Sequence, residues 1–136
     1  EQKKKTTKQK VSEAKAAIRE VSIQDLAEAL QHDAETVLVD VREPAEYSQQ
    51  HIVGSVNYPR GVLEMNIHNH PKVAASGCEP QVALQQLANQ PIYLICRSGA
   101  RSALAAESLQ RMGFSKVYSV AGGMQAWIDA TLPVKQ

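Results

Sequence analysis

Seven consecutive residues, Cys96-Arg97-Ser98-Gly99-Ala100-Arg101-Ser102, combine a thiol, two guanidinium groups and a glycine. A free thiol with a pKa near ~8.5 is only a few per cent ionised at neutral pH, yet the thiolate is the nucleophile. Placed where a glycine turn leads into a helix, it would face free backbone N–H groups, the positive end of the helix dipole and both arginines. Those groups favour an anion, first the thiolate and then an anionic substrate held against it. Such a site needs preorganised positive potential and a nucleophile, with no histidine base. The plain alternative is a small buried hydrophobe at a strand end. Two arginines and a glycine turn beside the sulfur give that alternative nothing, which tips the reading towards a reactive anion site.

Several elements must cooperate to position this loop. The apolar run Ile92-Tyr93-Leu94-Ile95-Cys96 reads as the strongest strand, and the helix after the loop would bury Ala105, Leu109 and Met112, with Gly113 as its C-terminal cap. Thr36 to Val41 reads as another strand, its unbroken Val37-Leu38-Val39 run implying cover on both faces. Asp40 ends that strand as structural support, and Arg42, Glu43 and Glu46 follow it, as substrate contacts or, the favoured reading, as an ion pair steadying the loop. Glu43-Pro44 suits a short helix opening, with Tyr47 available for the core.

Elsewhere, Val11 to Ile18 is helix-permissive but short. Ser22 with Asp25 opens a helix carrying Ile23, Leu26, Ala27 and Leu30. Ser55 to Tyr58 suits a brief strand, Gly61 to Glu79 is irregular, and Leu84, Leu87 and Ala88 mark a further helix. Val117 to Val120 is the last strand, and Gly122-Gly123 precedes a closing helix with Met124, Trp127 and Ile128 spaced for burial. Alternating strands and helices imply a parallel sheet sandwiched by helices, an α/β fold, with functional groups at the carboxyl edge of the sheet.

The 136 residues suffice for one domain, read as residues 21–136, after a basic, mobile N-terminal tail and short helical segment in residues 1–20. Five lysines (Lys3, Lys4, Lys5, Lys8, Lys10) fall in the first ten residues, and a solvated tail is favoured there over a basic docking arm. Overall, 15 Lys and Arg against 14 Asp and Glu give no reason to expect a nucleic-acid or membrane partner. No run suits a bilayer span. The start at Glu1 suggests that an export signal or a tag was removed upstream. A permanent Cys78–Cys96 bond would silence Cys96, which favours a reducing, cytoplasmic compartment, with the periplasm as the alternative if a signal was removed. His68, His70 and Cys78 match no zinc signature and lack a fourth ligand, so no metal is expected. Cys78 is read as inert, with a resolving thiol as the alternative.

The Cys96–Ser102 loop resembles the active-site loop of rhodanese domains, the thiosulfate sulfurtransferases. Three further segments agree in order and spacing: Asp40-Val41-Arg42-Glu43-Pro44-Ala45-Glu46-Tyr47, then His51-Ile52-Val53-Gly54-Ser55-Val56-Asn57-Tyr58-Pro59, and Gly122-Gly123-Met124-Gln125-Ala126-Trp127. The similarity runs from about Val21 to Pro133. It implies a rhodanese-like fold, a five-stranded parallel sheet flanked by helices on both faces, and a single-domain sulfurtransferase that needs no cofactor. It also implies that Cys96 takes sulfur from thiosulfate or a similar donor as a persulfide and passes it to cyanide, a small thiol or a protein acceptor. Arg97, Ser98, Gly99, Ala100, Arg101 and Ser102 would bind the donor, with Asp40, Arg42 and Glu46 in support. Gly61 to Glu79 would be a family-variable loop that sets acceptor choice.

Two rivals come from other classes. A rhodanese-fold binding or regulatory module would do no turnover, although such modules often lack the cysteine retained here. A cysteine phosphatase or arsenate reductase commonly places five residues between cysteine and arginine, whereas four separate Cys96 from Arg101.

Overall fold

The computed structural model describes residues 4–74, 77 and 79–136. Chain order runs α1 (Thr7–Ala17), β1 (Arg19–Val21), α2 (Ile23–His32), β2 (Val37–Asp40), α3 (Pro44–Gln49) and β3 (Val56–Asn57). The short helices α4 (Leu63–Asn66) and α5 (Pro71–Ala74) follow, then α6 (Pro80–Ala88), β4 (Ile92–Ile95), α7 (Ala100–Arg111), β5 (Val117–Val120) and α8 (Gly123–Asp129). Among the described residues, five strands form one parallel sheet in the order β1-β5-β4-β2-β3. The α/β fold expected from the alternation of elements is the one observed.

Local chemistry accounts for the main boundaries. The Ser22 hydroxyl accepts the Asp25 N–H at 3.0 Å, while Asp25 accepts the Ser22 N–H at 3.4 Å, so two free donors at the start of α2 are satisfied reciprocally. Gly113 takes φ +101° immediately past the end of α7, a conformation in which a side chain would be strained. The sheet is covered on both faces, as the unbroken Val37-Leu38-Val39 run requires. Val37, Val39, Ile92 and Leu94 pack with Leu63, Ile67, Leu87, Ala105, Ala106 and Leu109 on one side. Leu38, Ile95 and Val120 pack with Ile23, Leu26, Met124 and Trp127 on the other.

Several expectations need correction. Arg19–Val21, read as neither strand nor helix, is an edge strand paired with β5. The first helix begins at Thr7, capped by Thr6 and Gln9, and buries Ala14 against α7. Met112 is 46% exposed rather than buried, because α7 ends at Arg111 and Met112 is its C-cap, beyond the inner face of Ser102, Ala103, Ala105, Ala106 and Leu109. Ile128 is likewise 37% exposed, one position past the buried Trp127. Tyr47 is half-buried, stacked on His51 with its hydroxyl donating to the Ser55 carbonyl. Residues 61–74 are more regular than expected, built from short α and 3-10 turns that bury Leu63, Ile67 and Val73. Cys78 lies outside the described residues, so neither reading of it is addressed. Among the described residues, no helix is long and apolar enough to cross a membrane.

Candidate active site

Strand order reverses between β2 and β4: β3 lies outward of β2 on one side, while β5 and β1 lie beyond β4 on the other. In open α/β sheets such a reversal leaves a crevice at the carboxyl ends of the two strands. Cys96 follows β4 at that edge, and Arg42 to Glu46 follow β2 beside it.

The cysteine loop turns at Gly99, whose φ of +106° is a left-handed conformation that favours glycine, and α7 starts at the next residue. The Gly99 N–H donates to Cys96 Sγ at 3.0 Å. Ser102 Oγ stands 3.4 Å from the same sulfur and 2.8 Å from Ser119 Oγ. Cys96 is 1% exposed, as a buried hydrophobe would be, yet its sulfur is engaged by an amide and a hydroxyl.

The outer side of the loop is held by α8. The Cys96 carbonyl accepts the Met124 N–H at 2.8 Å and the Arg97 carbonyl accepts the Gln125 N–H at 2.9 Å. This close approach explains Gly123 at the start of α8. A Cβ at Gly123 would overlap the carbonyl oxygens of both Cys96 and Arg97.

From β2, Asp40 and Arg42 form a fully buried ion pair. Arg42 Nε lies 3.0 and 3.1 Å from the two carboxylate oxygens and Nη2 lies 2.8 Å from Oδ2. Asp40 also accepts the Arg42 backbone N–H at 3.0 Å, and Arg42 Nη2 continues to the Gln50 carbonyl at 2.7 Å. The pair therefore fixes the segment leading into α3. Glu46, on α3, reaches Arg101 in a two-pronged contact of 2.7 and 3.1 Å. The Arg101 hydrogen bond holds the Glu46 carboxyl down at about 2 against the desolvation that opposes it, with help from the Glu43 N–H. The same pairing raises Arg101 above its ordinary value, and the nearby Cys96 sulfur pushes in the same direction.

The structure thus brings Cys96, Gly99, Arg101, Ser102, Asp40, Arg42 and Glu46 to one edge of the sheet. Glu46 pairs with Arg101 and Arg42 with Asp40, so the residues after β2 are tied by ion pairs to the end of that strand and to the cysteine loop. Arg97 and Ser98 are exposed, and among the described residues the Arg97 guanidinium has no polar partner. Ala100 is half-buried in the first turn of α7. His68 is exposed and His70 is buried, with burial holding His70 below its ordinary value. Sequence reasoning missed Ser119. The available signal was a hydroxyl two residues from Val117, on the same face of a strand that is otherwise apolar there.

Comparison with known proteins gives these residues a context. Residues 22–130 match the model of the rhodanese-like domain. The chain is 33% identical over 120 residues to YrkF of Bacillus subtilis, named as a candidate sulfur carrier protein, across 88% of this chain and 56% of that protein. It therefore spans little more than half the length of that relative. It is 30% identical over 109 residues to the thiosulfate sulfurtransferase GlpE of Vibrio cholerae, across 80% of this chain and 88% of that one. Among solved structures, a Rhodopseudomonas palustris protein described as of unknown function and a "possible tyrosine phosphatase" superposes with a TM-score of 0.79 at 30% identity, over 99% and 98% of the two chains. Matched over most of its length by one family model, and aligned across that stretch with proteins named for carrying or transferring sulfur, the chain belongs to the rhodanese-like domain family.

Proposed function

We propose that this protein is a sulfurtransferase that takes sulfane sulfur from thiosulfate, or a donor of similar charge, and holds it on Cys96 as a persulfide. The observation that carries the reading is the environment of Cys96 Sγ, which receives the Gly99 N–H at 3.0 Å beside the start of the 12-residue helix α7. A sulfur so placed is favoured as an anion by a fixed amide and by the helix dipole.

In the first half-reaction, the thiolate attacks the outer sulfur of thiosulfate. An S–S bond forms to Cys96, the bond between the two thiosulfate sulfurs breaks, and sulfite leaves with the electron pair. In the second, a cyanide or thiolate acceptor attacks the outer sulfur and the Cys96 thiolate is released. This is covalent nucleophilic catalysis with ping-pong kinetics. Cys96 is 1% exposed, and the exposed side chains of Arg97 and Ser98 flank it along the loop. Arg97 is then the guanidinium available to the donor's anionic end, since Arg101 is engaged by Glu46.

The superposition with a protein described as a possible tyrosine phosphatase supports a second reading, hydrolysis of a phosphate ester through Cys96. The four residues between Cys96 and Arg101 weigh against it, because phosphatase loops commonly place five there and the smaller ring suits a single sulfur atom. Intact-mass spectrometry separates the readings. Mixing with thiosulfate is expected to add one sulfur atom that cyanide removes, with no gain in Cys96→Ala. An unchanged mass together with Cys96-dependent hydrolysis of a generic phosphate ester would overturn the sulfur-transfer reading.

A further inference from the structure

The described site leaves one buried polar group without a role. Ser119 lies in the centre of β5, fully buried, on the sheet face shared with Val117 and α7. A bare hydroxyl there is costly unless it is hydrogen-bonded, and alanine or valine would fill the position with no such cost. Its one side-chain contact among the described residues is Ser102 Oγ at 2.8 Å, and Ser102 in turn meets Cys96 Sγ at 3.4 Å. The three side chains form a buried line, Ser119 to Ser102 to Cys96, with the Gly99 N–H approaching the sulfur separately.

Counting protons along this line gives it a direction. It has two contacts, and each can hold one proton. With a neutral thiol there are three protons, one on the sulfur and one on each hydroxyl, so one buried donor has no acceptor. With a thiolate there are two: Ser119 donates to Ser102, and Ser102 donates to the sulfur. Every donor is then satisfied, and buried donors without acceptors are strongly disfavoured. We infer that Ser119 is a positioning residue for the Cys96 nucleophile, aiming the Ser102 hydroxyl proton at the sulfur so that the buried line is complete only when the sulfur is ionised. Ser102 touches the reacting atom; Ser119 acts through it.

This inference rests on the reading of Cys96 as the sulfur-carrying nucleophile and adds the moments at which the line operates. Sγ bears the charge before it attacks the donor. It bears it again when the bond to the outer sulfur breaks and the electron pair returns to Cys96. In the persulfide between those steps, the charge resides on the outer sulfur. The Ser102 proton therefore assists the start of the first half-reaction and the end of the second.

The test is the rate of Cys96 alkylation by iodoacetamide between pH 6 and pH 10, read by peptide-resolved mass spectrometry so that Cys78 does not contribute. In Ser119→Ala the rate at pH 7 should fall by roughly three- to tenfold, the worth of the one neutral hydroxyl–hydroxyl bond that orients Ser102. It should rejoin the wild-type rate at the alkaline end, where ionisation is complete. Ser102→Ala should displace the profile at least as far, and Ser102→Ala with Ser119→Ala no further than Ser102→Ala alone, since Ser119 has no separate route to the sulfur. Superimposed profiles, a loss by the same factor at every pH, or additive effects in the double variant would each overturn the inference. Sulfur uptake from thiosulfate by the wild-type protein is measured in parallel. If uptake is absent while the profiles shift as described, the sulfur-transfer reading falls and the hydroxyl line stands; uptake with unshifted profiles gives the converse.

Discussion

Substituting Gly123 by alanine tests whether α8 clamps the cysteine loop. The residue has φ +55°, a left-handed conformation that costs an L-residue roughly 1–2 kcal/mol. Its added Cβ would also overlap the Cys96 and Arg97 carbonyls, which cannot retreat without weakening the bonds they accept from Met124 and Gln125 at 2.8 and 2.9 Å. At about 0.5–1.5 kcal/mol for each bond, the total loss is about 2–5 kcal/mol. For a chain of 136 residues the unfolding entropy is about 0.3 kcal/mol/K, so the melting temperature should fall by roughly 7–17 °C. Gly113→Ala is the matched control, because it has φ +101° but nothing within 4 Å of its added Cβ, and it should lose only the conformational part, roughly 3–7 °C. Circular-dichroism melts of the two variants supply the comparison, and thiosulfate uptake by folded Gly123→Ala should be reduced because the loop has been displaced. Equal melting temperatures for Gly123→Ala and Gly113→Ala would refute the clamp.

Two further outcomes follow from the ion pairs. Arg42→Ala strands the fully buried Asp40 carboxylate with a single backbone N–H, so urea denaturation should show a loss of about 3–5 kcal/mol, and a loss below 1 kcal/mol would contradict the role given to the pair. Glu46, held at about 2, is depressed below its ordinary 4.5, so the stability it lends is complete above pH 4.5 and is lost as the pH falls towards 2. With Glu46 and Arg101 each about one-third exposed, solvent screening reduces that contribution to about 1 kcal/mol. The difference in urea midpoint between wild type and Glu46→Gln should shrink across that window, whereas a difference independent of pH would argue against the pair.

Legibility in the sequence followed how far each residue's neighbours lie along the chain. Ser22 with Asp25, the Val37-Leu38-Val39 run, the Ile92 to Cys96 strand and Gly113 were readable because caps, apolar runs and turn glycines act within a few residues. Arg19–Val21 was not, since two of its three residues are exposed and only the distant partner β5 makes it a strand. Met112 and Ile128 fit a helical spacing, yet α7 ends at Arg111 before Met112, and in α8 the buried position is Trp127, one residue before Ile128. At the candidate site, Cys96, Gly99 and Arg101 stand in one short loop and were legible together. The pairing of Arg101 with Glu46 bridges 55 residues, and the contact of Ser102 with Ser119 joins a helix to a strand, so the spacing of residues alone specified neither.

The strand order has a bearing on how a nascent chain can fold. β1 lies at the sheet margin with β5 as its one strand neighbour, so Arg19–Val21 must wait until Tyr118–Val120 have left the ribosome. α1, resting on α7, waits almost as long. β2 and β3 can pair early, but the centre of the sheet stays open until β4 emerges. A topology in which β1 pairs with β5 carries a high mean sequence separation of contacts, which slows folding. Until α7 and β5 have emerged, Thr7–Ala17 and Arg19–Val21 lack the partners they have in the folded domain.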